Sequence, residues 1–84
     1  MKTFTLMLAT GPEQISIHPM VWDGFEEIAR RESATPSEVV QQLVNDRRPD
    51  DLAAAIVAEV VAYFRVLVAR LELEAEQRRR VRRN

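Results

Sequence analysis

From Leu52 to about Arg80 the chain contains neither glycine nor proline, so nothing local stops one helix of roughly 30 residues and ~45 Å. In an 84-residue chain that leaves few residues for the body such a helix must pack on. Val57, Val60, Phe64, Leu67 and Leu71 recur at spacings of 3, 4, 3 and 4, flanked by Ile56, Val61 and Val68. This predicts a coiled-coil-like seam. Ala55, Ala58, Glu59, Ala62, Arg65, Ala69 and Arg70 fall on the other face, and Asp50 or Asp51 serves as the N-cap. The run from Leu52 to Ala69 also has the length of a membrane span. Glu59 and Arg65 lie inside it, each costing about 2.5 to 3.5 kcal/mol near the middle of a bilayer. No membrane contact is therefore expected; a helix buried on several sides in a dimer or larger bundle is.

An 84-residue chain is at most one domain, and folded alone it buries only about 60 to 65% of its unfolded surface. Hydrophobic residues make up 46% of it, more than a small monomer easily hides, which predicts self-association. With no cysteine and His18 as the single histidine, neither a metal nor a cofactor is expected. One histidine and scattered serines offer no activated nucleophile, so no catalytic residue is assigned and the chain is read as a non-enzyme.

The net charge of -1 hides a segregation: residues 1–76 hold seven Lys/Arg against thirteen Asp/Glu, while residues 77–84 hold five arginines and no acid. Arg78, Arg79, Arg80, Arg82 and Arg83 could contact phosphates or an acidic protein surface. Glu74 to Arg78 and Glu76 to Arg80 are also i, i+4 pairs, and arginines at a helix C-terminus complement its dipole. The apolar run after Lys2 is too short for a secretory core, and the chain is read as cytoplasmic.

Towards the N-terminus, Phe4, Leu6 and Leu8 alternate with Thr3, Thr5 and Met7, predicting a first strand of about six residues. "ATGPEQ" reads as a turn. Ile15 and Ile17 alternate with Gln14, Ser16 and His18, giving a second strand whose two-residue apolar face needs a partner strand and a helix beneath it. Pro19 opens a helix with Val21, Trp22, Phe25, Ile28 and Ala29 on one face, ending near Glu32-Ser33. "TPSE" opens another: Thr35 caps, Pro36 takes the first position and Glu38 closes a capping box. Val39, Val40, Leu43 and Val44 form its buried stripe, and it is expected to stop before "NDRRPDD".

The segment "ISIHPMVWDGFEEIARRESATPSEVVQQLV" resembles the ribbon-helix-helix superfamily, and "RRPDDLAAAIVAEVVAYFR" is similar to the third helical region of a bacterial branch of it. The resemblance covers roughly residues 3 to 65. It implies a mainly α fold with a short N-terminal β-ribbon, an obligate dimer extended by a long third helix. Residues 1–48 would form the strands and two-helix core and residues 49–84 the long helix, all within one domain. Strands of two chains would pair antiparallel, with Ile15, Ile17, Trp22, Phe25, Val40 and Leu43 in the dimer core. Gln14, Ser16 and His18 would face base edges of double-stranded DNA, and Thr35, Ser37 and Glu38 would meet phosphate at a helix N-terminus. The function so implied is a homodimeric DNA-binding protein, a small transcriptional regulator. The strand departs from that pattern in carrying no Arg or Lys, the usual reader of guanine, and Glu13 adjoins it. Hence the alternative stays open: a dimerisation or adaptor module of the same fold acting through protein contacts.

Overall fold

In the computed structural model, which describes residues 1–82 and the side chains of residues 1–80, an antiparallel hairpin is followed by three helices. The elements are β1 (Lys2–Leu8), β2 (Gly11–Ile17), α1 (Pro19–Arg31), α2 (Pro36–Arg47) and α3 (Leu52–Arg82). The hairpin turns on Ala9-Thr10 alone, so "GPEQ" lies within β2 and not in a longer turn. Gly11 follows the turn with φ 121°, a conformation that L side chains rarely adopt.

Pro12 tolerates its place in β2 because of the register. It faces Met7, whose N–H points away from β2 to Ser37 Oγ at 3.2 Å. The pair is therefore one whose amides face outward, and a missing N–H breaks no rung of the ladder.

The inner face of the hairpin, with Leu6, Ile15 and Ile17 buried, covers a core completed by Phe25, Val40 and Ile56. Phe25, Val40 and Ile56 are each 0% exposed; burial of such a side chain stabilises by roughly 1.5 to 3 kcal/mol relative to exposure. Phe4 stacks on Trp22, ring centroids 4.3 Å apart and 14° from parallel, and so closes the core at its N-terminal end.

The connections follow from their capping residues. After α1 the Ser33 amide donates to Arg30 O at 3.1 Å and the Ala34 amide to Ala29 O at 2.8 Å. With Ser33 at φ 54° this is a Schellman turn in which serine occupies a glycine position. Helix α2 starts with the expected capping box but runs three residues past Val44, to Arg47, because Arg48 takes up a left-handed cap at φ 45° and donates to Val44 O. Arginine gives no sequence signal for that role. Asp51 Oδ1 accepts from the Ala54 amide at 3.1 Å and caps α3.

Only the first half of α3 is held by the body. Ile56 is buried, and Leu52, Val60, Tyr63, Phe64 and Leu67 are half-buried. Gly24 eases the close approach of α1, since a Cβ there would lie 3.1 Å from Val60 Cγ1, which would have to give way by a few tenths of an ångström. Val57 and Leu71, expected in the packed seam, are exposed at 38% and 51%, because the body covers a face turned toward Ile56 and Tyr63. From Val68 onward every described side chain is exposed. By length and composition alone α3 could cross a membrane.

Candidate nucleic-acid interface

Two of the three expected base-facing residues share one surface. Gln14 and Ser16 are exposed on the outer face of β2, opposite Thr5 and Thr3. These four side chains make a neutral face of hydroxyls and one amide. Thr3 and Thr5 belong to the alternation of the first strand, but their place beside Gln14 and Ser16 depends on the register, which no residue pattern specifies.

The backbone of β2 adds a second feature. Pairs in an antiparallel ladder alternate in type, so Thr5↔Gln14 and Thr3↔Ser16 are of the same kind as Met7↔Pro12. The N–H and C=O groups of Gln14 and Ser16 thus point to the open side of β2 in a sheet of only two strands. The corresponding edge of β1 is partly closed, since Met7 N–H goes to Ser37 Oγ, and in the adjoining turn Ala9 N–H goes to Gln41 Oε1 at 2.7 Å. One free edge is left suited to a further strand.

His18 stands apart from the strand. It is the N-cap of α1, its Nδ1 accepting from the Met20 amide at 3.1 Å, and its exposed ring has Nε2 left for another partner.

The expected phosphate contacts are largely occupied from within. Thr35 Oγ1 accepts from the Glu38 amide at 3.2 Å, and Glu38 Oε1 accepts from the Thr35 amide at 3.1 Å. Ser37 Oγ accepts from Met7, and Pro36 has no amide hydrogen. Of the amides from Thr35 to Glu38, Ser37 alone retains a donor for an anion, and the Glu38 carboxylate sits beside it.

At the other end of the molecule Arg78, Arg79 and Arg80 are exposed on the last turns of α3. Arg80 pairs with Glu76 at 3.2 Å, while Glu74 and Arg78 form no ion pair among the described residues. The side chain of Arg82 and all of Arg83 lie outside the described part. Of the residues assigned to a dimer core, Ile15, Ile17, Phe25, Val40 and Leu43 are buried within one chain and Trp22 is half-buried. The partner strand that Ile15 and Ile17 need is supplied in cis by β1.

On the wet side of α1, hydrogen bonds from Arg30 and then its charge, with Arg31 Nε 3.2 Å from Oε1, hold the Glu27 carboxyl below the usual carboxylate range. An open hollow of about 490 Å³ runs along α2, lined by Ile28, Val39, Leu43, Glu59 and Tyr63 among others; Arg47 and Glu59 approach to 3.7 Å across it. Among the described residues no cluster of three or more His, Asp or Glu is placed to hold a metal.

Comparison of the chain with protein-family models, with curated protein sequences and with solved structures finds no match.

Proposed function

We propose that the chain is a homodimeric ribbon-helix-helix DNA-binding protein, a small transcriptional regulator. The observation that carries this reading is the open edge of β2, where Gln14 and Ser16 expose both backbone and side chain immediately before a two-helix hairpin. Pairing of β2 with β2 of a second copy satisfies that edge and gives a sheet in the order β1-β2-β2-β1. Strands spaced about 4.8 Å apart set the outer two ~14 Å from each other, slightly wider than the ~12 Å major groove. The central pair therefore enters the groove with Gln14 and Ser16, Gln14 being suited to adenine. The Thr3 and Thr5 hydroxyls lie toward the phosphate rims, in place of the self-capped start of α2.

The adaptor alternative has its own support. The interface lacks a cation, the N-terminus of α2 is internally satisfied, and α3 offers a long apolar surface.

Selection from a random pool of duplex DNA, followed by titration at several salt concentrations, separates the two readings. The regulator reading expects an enriched sequence whose preference is lost in Gln14→Ala with Ser16→Ala. Binding lost only in the triple substitution of Arg78, Arg79 and Arg80 by Gln would move the activity to the end of α3. No binding by the intact chain at low salt would leave the adaptor reading.

A further inference from the structure

Along the exposed flank of α3, Val57, Val61, Phe64, Val68 and Leu71 recur at spacings of 4, 3, 4 and 3. This series is turned away from the side that packs on the body: Val57, Val61, Val68 and Leu71 are 38 to 51% exposed, and Phe64 is half-covered at its margin. A shallow apolar groove lies along it between Val61, Phe64 and Val68, bordered by Arg65 and Glu72. A heptad seam of this kind is stable in water only when a second helix covers it.

We propose that the seam is covered by α3 of a second copy of this chain, running antiparallel. The charged ends of the helix select both the occupant and the direction. With Phe64 set against Val68 of the second copy, Val61 meets Leu71 and Val57 meets Ala75. The same register sets Arg65 level with Leu67 of the second copy, between its Arg65 two residues to one side and its Glu72 five residues to the other, so the border of the seam is itself mixed in charge. It also carries the Arg78 to Arg80 end of each helix to the start of the other, where Asp50 and Asp51 lie exposed. A parallel, in-register pair would do the reverse: the arginine clusters of both copies would lie side by side, and Arg65 would face the apolar Val60. The interface uses neither the open edge of β2 nor the hairpin face. It stands independently of DNA binding and gives the Arg-rich end an acidic partner on the chain itself.

The chain has no cysteine, so orientation can be read from disulfide formation in the full-length protein. Under mild oxidation, Val61→Cys mixed with Leu71→Cys is expected to give a linked pair, while Val61→Cys alone stays largely unlinked. Separately, replacing Arg78, Arg79 and Arg80 together by Gln is expected to raise the dissociation constant of self-association by roughly tenfold. Linkage by Val61→Cys alone would mean a parallel pair and overturns the proposal. So does absence of linkage in the mixture, and so does recovery of the chain with phosphatidylcholine and phosphatidylglycerol vesicles with both cysteines shielded from thiol reagents. A chain that links as expected yet binds no DNA would leave this pairing standing and remove only the regulator reading.

Discussion

The Met7 amide donates to Ser37 Oγ at 3.2 Å across thirty residues of sequence, fastening the first turn of α2 to the edge of β1. Ser37→Ala leaves that edge amide without its protein partner. The expected cost is about 0.5 to 1.5 kcal/mol, read as a lower urea midpoint with an unchanged slope. Because the hydroxyl is already engaged, the same substitution is expected to leave the salt dependence of DNA binding unaltered.

Phe4 and Trp22 form another long-range fastening, with centroids 4.3 Å apart. Phe4→Ala is expected to cost roughly 2 kcal/mol, less than the ~3 to 5 of a fully buried phenylalanine because Phe4 keeps some contact with water. The chain has a single tryptophan, so a red shift of its emission in the folded variant reports the loss of the stack directly.

Much of this architecture is legible in the residues themselves. The "TPSE" box and an aspartate cap before Leu52 each encode a helix start through one local hydrogen-bonding rule, and both starts fall where that rule places them, Asp51 and not Asp50 being the cap; the Gly/Pro-free run permits the length of α3 without setting its end. What is not legible depends on partners distant in sequence. Whether Gly11-Pro12 breaks β2 depends on which way the Met7 amide points, and the packed face of α3 depends on where Gly24 lets α1 approach. At the candidate interface, the exposure of Gln14 and Ser16 follows from alternation with two isoleucines. The use of the Ser37 hydroxyl by β1 has no local signal, and His18 is a helix cap because the strand ends one residue earlier.

Ser33 and Arg48 occupy left-handed backbone at φ 54° and 45°, where a Cβ is unfavourable. Ser33→Gly and Arg48→Gly are each expected to stabilise the fold by up to about 1 kcal/mol, offset in part by the extra freedom glycine gives the unfolded chain. Thermal unfolding should show the midpoint rising in each variant.

Glu27 supplies the pH dependence. Its folded-state pKa is lowered by Arg30 and Arg31, so its contribution is present above the unfolded value and is lost as pH falls through the folded one. Because the pair is solvent-exposed, the effect on stability is small. The clearer readout is NMR titration of the Glu27 side chain, expected below that of an unstructured peptide carboxylate and moving up toward it in Arg30→Gln.

The central claim, that β2 pairs with β2 of a second copy, concerns two amides above all. Hydrogen exchange at Gln14 and Ser16, measured over a range of protein concentrations, tests it most directly. Pairing predicts that both amides are protected when the chain is dimeric and that protection fades on dilution in step with dissociation. Exchange at the rate of open-edge amides at every concentration, including those at which self-association is complete, would contradict it.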